Sequence, residues 1–215
     1  MDNKIKINTH SSIRIEDGGK VFYFDPFKIE EKICDADFIF VTHDHYDHMD
    51  PISIDNVRKD ETKFICPESI VRNLSSAVEI RDTSCIIQMK PYDKMKFSDD
   101  IEAEAIPAYN IGKPFHQKQF NWLGYILNVS GTKHYIAGDT DATDEASEIS
   151  CDVALIPIGG TYTMDVNEAV KLVNTIKPKL AIPIHYGSIV GDKTLGKNFI
   201  SLVDKNIEAR EYINF

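Results

Sequence analysis

Three histidines and two aspartates lie close together in the segment Thr42–His48, directly after an apolar run. Imidazole and carboxylate groups are ligands for Zn, Mn and Fe, and the segment offers no thiolate. His43 and His45 are two residues apart, so both side chains point to the same face of an extended strand end. Asp47 and His48 follow in a turn, where they can fold back on a second, adjacent centre. The segment therefore predicts a metal site, with a charged surface loop as the alternative.

The same arrangement, a polar side chain just beyond an apolar run, recurs twice. The run His134–Ala137 is followed by Gly138 and Asp139, and the run Leu180–Ile184 is followed by His185. Either signal alone is weak, because a Gly-Asp pair often forms a simple turn and a histidine after a strand is often structural. Strand ends, however, let a rigid scaffold direct several ligands into one cleft. Asp139 and His185 are therefore predicted to join the site.

The elements that must position these residues are mainly short strands. A helix is predicted over Asp165–Lys177, where apolar residues recur at helical spacing and Asp165 with Glu168 forms a capping box. Pro67–Ser76 and Asn198–Lys205 are weaker helical segments. Ten strands are predicted from runs of β-branched and aromatic residues closed by turn residues: Ile13–Ile15, Val21–Phe24, Phe38–Thr42, Lys63–Cys66, Ile86–Met89, Ile101–Ile106, Gly124–Val129, His134–Ala137, Val153–Ile156 and Leu180–Ile184.

Many strands, few helices and no strict alternation of strand and helix predict an α+β fold. In such a fold two sheets pack on each other and the helices lie outside. The 215 residues contain no internal repeat, low-complexity tract or linker, so one domain spanning residues 1–215 is expected. A chain of this length buries about 70% of its unfolded surface and needs no metal or disulfide for its core.

The composition disfavours several classes of function. Lys plus Arg number 24 against 34 for Asp plus Glu, and the net charge of -10 disfavours binding to nucleic acid. The apolar runs are far shorter than the roughly 20 residues of a membrane span. The segment Met1–Lys6 lacks the apolar region of a signal peptide. We therefore expect a cytoplasmic protein that acts on a small molecule, without nucleic acid or membrane partners.

The order of these motifs resembles the metallo-β-lactamase superfamily: Thr-His-x-His-x-Asp-His, then Gly-Asp, then a late histidine. The resemblance spans about His10 to Gly187 and implies a four-layer αββα sandwich with a dinuclear metal site at one edge of the two sheets. Several flanks are similar to a hydrolase branch near the ascorbate-6-phosphate lactonase group. These flanks are Phe24–Phe27, Gly138–Thr140, Gly159–Met164 and Pro183–Gly187.

The resemblance also implies a role for each matching residue. Asp25 corresponds to an early aspartate that orients the ligands, although a turn before Pro26 explains it equally well. The implied ligands are His43 and His45 for the first metal, Asp47, His48 and His185 for the second, and Asp139 bridging both.

One position departs from the family pattern, which has a third histidine on the first metal soon after a Pro-Ala segment. Here Pro107-Ala108-Tyr109 leads into Asn110, and the only histidine of that loop is His116. Asparagine binds zinc poorly, so His116 is the predicted ligand. The alternatives are that Asn110 completes the first site or that this site is incomplete. His10 and Tyr186 are predicted to line the pocket or contact substrate, with an ordinary structural role as the alternative.

The implied cofactors are two divalent metal ions, with zinc expected first and Mn or Fe as alternatives. Two such ions can share a water and lower its pKa from 15.7 towards neutrality. The bridging hydroxide would then cleave an ester, lactone, amide or phosphodiester bond, while Asp47 orients it and takes its proton. The main alternative is a non-catalytic metal- or ligand-binding module on a partly degraded site. Diiron redox chemistry is disfavoured because the chain has no room for a flavin domain. Nuclease activity is disfavoured by the acidic charge balance, and β-lactam resistance by the lack of an export signal.

Overall fold

Two β-sheets face each other in the computed structural model, which describes residues 4–213. The first sheet has the order β1-β2-β3-β4-β5-β6, and the second has the order β13-β12-β11-β10-β9-β8-β7. The first sheet contains β1 (Ile5–Ile7), β2 (Ile13–Asp17), β3 (Lys20–Phe24), β4 (Ala36–Phe40), β5 (Arg58–Pro67) and β6 (Ile86–Met89). The second contains β7 (Lys94–Lys96), β8 (Ile101–Pro107), β9 (Leu123–Val129), β10 (Thr132–Ile136), β11 (Val153–Pro157), β12 (Leu180–Ile184) and β13 (Glu208–Ala209).

Alternation of side chains along the strands divides the apolar residues between two cores. Phe22, Phe24 and Phe40 point between the sheets and belong to the large cluster that also draws on the second sheet. Tyr23 and Ile39 point the other way and pack in a second cluster beneath the helices of the first sheet. Since successive side chains of a strand alternate between its faces, these strands are buried on both sides.

Helices cover the outer faces. The helices α1 and α2 pack on the first sheet and α4 and α5 on the second, which gives the predicted four-layer α+β sandwich. Asp165 caps α4 by accepting a hydrogen bond from Glu168 N, while the Glu168 carboxylate accepts one from Asp165 N, both at 2.9 Å. The helices are α1 (Pro51–Val57), α2 (Val71–Ala77), α3 (Asp144–Ser147), α4 (Val166–Ile176) and α5 (Leu195–Leu202).

The ten predicted strands all occur, with boundaries that differ by a few residues. The prediction of Phe38–Thr42 was wrong at its end, because β4 stops at Phe40 and Thr42 turns out of the sheet. The helix α1 was missed, although Asp50 at its N-cap and Pro51 at its first position are the usual signals of a helix start. Among residues 4–213, no helix is long and apolar enough to cross a membrane.

Candidate metal centre

The histidines and aspartates of the sequence motifs meet at one end of the two sheets. The segment Thr42–His48 follows β4, Asp139 follows β10 and His185 follows β12. Strands β10, β11 and β12 are parallel, so their carboxyl ends lie at the same edge of the second sheet. Strand ends from both sheets therefore position these side chains at the same end of the sandwich.

Three imidazoles form the first cluster, which we call the three-histidine group: His43, His45 and His116. One ring nitrogen from each lies within 4.8 Å of the others, and His43 Nε2 is 3.1 Å from His45 Nδ1. The Trp122 ring covers the group, with centroid distances of 4.8 Å to His43 and 4.9 Å to His45. The long loop before β9 thus brings His116 to the two histidines of the motif.

The second cluster, which we call the Asp47 group, consists of His10, Asp47, His48 and His185, with one ligand atom from each within 4.8 Å of the others. His10 Nε2 is 3.1 Å from Asp47 Oδ2. The His10 and His185 rings are 3.8 Å apart, and His10 O accepts a hydrogen bond from His185 N. His10, predicted only to line the pocket or contact substrate, is therefore fully buried beside the predicted ligands.

Asp139 lies between the two groups. Its Oδ2 is 3.3 Å from His116 Nε2 and 3.0 Å from His185 Nε2, and its Oδ1 is 3.3 Å from His48 Nε2. All three ring nitrogens and Asp139 Oδ1 are buried, yet they form no hydrogen bond to any described residue. Leaving a buried polar atom unpaired costs about 1–3 kcal/mol. Nitrogen and carboxylate donors that converge without hydrogen bonds fit divalent metals.

Asp25 holds the histidines of the motif in place. Its Oδ1 accepts a hydrogen bond from Thr42 N at 2.8 Å, and its Oδ2 accepts from Thr42 Oγ1 and His48 Nδ1, both at 2.7 Å. Since Thr42 Oγ1 donates to Asp25, it accepts from His43 Nδ1 at 2.9 Å. Both histidines therefore carry a proton on Nδ1, so Nε2 is the nitrogen that each ring directs into the candidate metal site. Sequence analysis missed this role of Thr42, although its place at the strand end is the available signal.

Polar contacts fix the loop that carries His116. Asn110 Nδ2 donates to Tyr162 O at 2.7 Å and lies 3.2 Å from His116 Nδ1, while Asn110 N donates to His116 O. Asn110, the alternative ligand, therefore contacts Nδ1 of the His116 ring, while Nε2 of that ring faces Asp139. Asp141 accepts hydrogen bonds from Ile111 N and Lys113 Nζ, and Lys113 Nζ also donates to Thr163 O. The sequence did not reveal this role of Asp141, because Ile111, from which it accepts a hydrogen bond, lies about 30 residues away in the chain.

Four residues of the site have left-handed backbone conformations: His10, Asp25, His116 and His185, with φ between 46° and 58°. Residues other than glycine adopt this conformation at a cost of order 1 kcal/mol each, and histidine and aspartate tolerate it better than most. Such conformations concentrate at functional sites. Here they turn each chain segment sharply, so that the side chain points into the shared cleft.

The two groups differ in their protonation. Burial lowers the pKa of His43 and His45 and lowers that of His116 to about 4, so these rings are neutral at pH 7. Burial also disfavours charge on His48, but Asp139 and Asp25 outweigh it and hold the His48 pKa well above its ordinary value. Asp47 has its pKa lowered to about 2, because its contacts with His10 and His48 outweigh burial. The Asp47 group therefore carries the negative charge of Asp47 and the extra proton of His48, whereas the rings of the three-histidine group are neutral.

Tyr186 lies apart from these contacts. It is fully buried, and its hydroxyl donates to Glu211 Oε1 at 2.9 Å. Its hydroxyl is therefore bonded within the protein, between the segment after β12 and the chain beyond α5. A substrate contact from Tyr186 stays a prediction.

Comparison with known proteins shows which family this chain resembles. The family described as the beta-lactamase superfamily domain matches residues 3–186. A UPF0173 metal-dependent hydrolase from Thermoplasma volcanium is 33% identical, with 94% of this chain and 93% of that protein covered. Another from Thermococcus kodakarensis is 30% identical, with 86% and 85% covered. The crystal structure of a proposed metal-dependent hydrolase from Parabacteroides distasonis superposes with a TM-score of 0.81 at 29% identity, covering 98% of this chain and 93% of that one.

Proposed function

The chain belongs to the metallo-β-lactamase superfamily, and on this premise we propose that it is a metal-dependent hydrolase of a small molecule. The observation that carries the proposal is the convergence of the seven predicted ligands, all buried or half-buried, four of which (His48, His116, Asp139 and His185) present a buried nitrogen or oxygen without a hydrogen bond. The three-histidine group would hold one divalent metal and Asp47, His48 and His185 a second, with Asp139 between them. The narrower lactonase-like branch stays a prediction.

When bound, two divalent cations lower the pKa of an attacking water and stabilise the negative charge that develops on the substrate oxygen. The carboxylate of Asp47 then orients the water and accepts its proton at Oδ2. His10 Nε2 is 3.1 Å from that oxygen and donates to it, because burial lowers the pKa of His10 to about 4 and leaves its ring neutral. His10 therefore holds Asp47 in position. An ester, lactone, amide or phosphodiester substrate fits this chemistry.

The non-catalytic alternative depends on an incomplete first site. The grouping of His116 with His43 and His45 supports the catalytic interpretation instead, because it supplies a third nitrogen. The net charge of -10 supports a small-molecule substrate over nucleic acid.

The first test is metal content by elemental mass spectrometry, on protein purified without a chelating column. About two metals per chain are expected, and Zn, Mn and Fe are measured together. One metal per chain would indicate that only one group binds. No metal, even after the protein is soaked in Zn²⁺ or Mn²⁺, would contradict the proposal.

The second test replaces the proton acceptor. Asp47→Asn should abolish hydrolysis of whichever ester, lactone, amide or phosphodiester the metal-loaded protein cleaves, while the circular dichroism spectrum stays unchanged. The matched control is Asp44→Asn, because Asp44 belongs to the same motif but accepts a hydrogen bond from Asn73 at the surface. Retained turnover in Asp47→Asn would refute its assigned role.

A further inference from the structure

Exposed apolar side chains stand next to the predicted ligands in the chain. Among residues 4–213, nine large apolar side chains are exposed, and four of them stand in the segments that carry the predicted ligands. We call these four the apolar rim: Tyr46, Ile111, Phe115 and Phe120, with exposed fractions of 68%, 60%, 42% and 39%. Single exposed apolar residues are common, but several grouped at a cleft mark a surface that binds a ligand.

Ring contacts connect the apolar rim to the metal centre. Phe120 is 4.9 Å from Trp122, whose ring lies over the three-histidine group. Phe115 is 4.8 Å from Tyr162, and Tyr162 O accepts the hydrogen bond from Asn110 behind His116. Phe115 and Phe120 are therefore separated from the predicted ligands by no more than two residues.

The fourth rim residue, Tyr46, lies next to the Asp47 group. Tyr46 stands between His45 and Asp47 in the chain and is 6.2 Å from Phe27. Phe27 in turn is 6.3 Å from His10 in the Asp47 group. Apolar surface thus lies next to both groups of the metal centre.

The exposed rim side chains are not needed to hold their loop. The loop that contains Ile111 and Phe115 is fixed by polar contacts through Asn110, Asp141 and Lys113. Covering an apolar side chain that is exposed to water favours binding in proportion to the area covered. A ligand that covers the rim would therefore bury apolar surface that folding leaves exposed to water.

The lysines around the cleft already have partners. Lys113 is paired with Asp141, and Lys118 is paired with Glu145 at 2.8 Å. Lys28 places its ammonium 5.2 Å from the centre of the Phe27 ring and 3.4 Å from Ser188 Oγ. The net charge of -10 further disfavours an anionic ligand.

We propose that the substrate carries an uncharged alkyl or aryl group, which lies on the apolar rim while the scissile bond lies at the metal centre. This inference rests on the proposed function, because the metals anchor the reacting end. A substrate with a phosphate or carboxylate at the rim end is disfavoured on the same grounds.

The test uses hydroxamates, which bind metals through one end and vary in their tails. Zn²⁺-loaded protein is titrated with acetohydroxamate, hexanohydroxamate and adipic monohydroxamate, which has the same chain as hexanohydroxamate but ends in a carboxylate. Trp122 is the only tryptophan and lies on the three-histidine group, so its fluorescence reports binding. We expect Kd to fall by about two- to fourfold for each added methylene. The carboxylate tail should give no gain over acetohydroxamate.

Two variants locate the effect. Phe115→Ser and Ile111→Ser should each reduce the gain from the pentyl tail of hexanohydroxamate at least about threefold, while acetohydroxamate affinity and metal content stay unchanged. The matched control is Leu202→Ser, which removes an exposed apolar side chain from α5 and should leave all three affinities unchanged.

The possible failures are distinct. If acetohydroxamate binds but tail length has no effect, the apolar substrate is wrong and the metal centre stands. If adipic monohydroxamate binds more tightly than hexanohydroxamate, the substrate group at the rim is anionic rather than apolar. If no hydroxamate binds, the proposed metal centre is wrong, and the inference fails with it.

Discussion

The three-histidine group and the Asp47 group share Asp139 but are held in place by different means. His43 and His45 come from the motif after β4, whereas His116 stands on a long loop that side-chain contacts fix. The Asp47 group is built on strand ends and on the turn between β1 and β2, and Asp25 fixes its His48 ring. The position of the Asp47 group therefore depends on the packing of the sandwich, whereas the position of His116 depends on the contacts of its loop.

The two groups also differ in charge. The three imidazoles are neutral and bring no negative charge, because burial lowers each pKa. The Asp47 group has a carboxylate and a histidine whose pKa is raised by Asp139 and Asp25 against the effect of burial. A metal must displace a proton from His48 in the Asp47 group, whereas the rings of the three-histidine group are neutral and have no extra proton to release. We infer that the two metals bind with different affinities and different dependence on pH.

The largest effect is expected from Asp139→Ala, which removes the carboxylate that both groups share. Its oxygens lie 3.0–3.3 Å from His48, His116 and His185. Both metal affinities should fall by more than about a hundredfold, since losing even an outer contact of a ligand costs 10- to 100-fold. Isothermal titration with Zn²⁺ measures this. Loss of only one metal would show that Asp139 belongs to a single group.

A smaller effect is expected from removing a ligand of one group. His116→Ala should lower the metal content by about one per chain and leave the Asp47 group loaded, because the remaining imidazoles of its group are too few. His185→Ala should do the same for the other metal. Elemental mass spectrometry measures both. An unchanged metal content in His116→Ala would assign the position to Asn110 or to water.

The loop contacts should matter less than the ligands. Asp141→Asn weakens the hydrogen bonds to Ile111 N and Lys113 Nζ, so we expect a 10- to 100-fold loss of affinity in the three-histidine group alone. Asp144→Asn, which removes the same charge at an exposed position three residues away, is the control. Equal effects of the two variants would mean that charge rather than loop position is responsible.

The smallest effect is the dependence on pH. The His48 pKa is raised in the metal-free protein, so below that pKa a metal must displace one proton from the ring. Affinity at the Asp47 group should therefore rise by up to about tenfold per pH unit and level off above the His48 pKa. Affinity at the three-histidine group should depend less on pH, because burial lowers the pKa of each of its rings. Titrations in buffers of different ionisation enthalpy count the protons, and equal release from both groups would contradict the comparison.

Much of the fold was predictable because it depends on local patterns. The alternation in Ile101–Ile106 and the capping box at Asp165 are short-range signals, and both were confirmed. The short strands β1, β7 and β13 were missed, since two or three residues give too weak a periodicity. Their pairing with longer neighbours determines them instead.

The sequence by itself determined which residue types could bind metal, because their spacing at strand ends is a local property. Only the tertiary structure decided how His10, His116 and Asp141 are used. His10 meets Asp47 from 37 residues away in the chain. His116 reaches the motif on a loop whose path is set by contacts with Asp141 and Tyr162. Contacts between such distant segments depend on how the two sheets pack, and no local pattern encodes that packing.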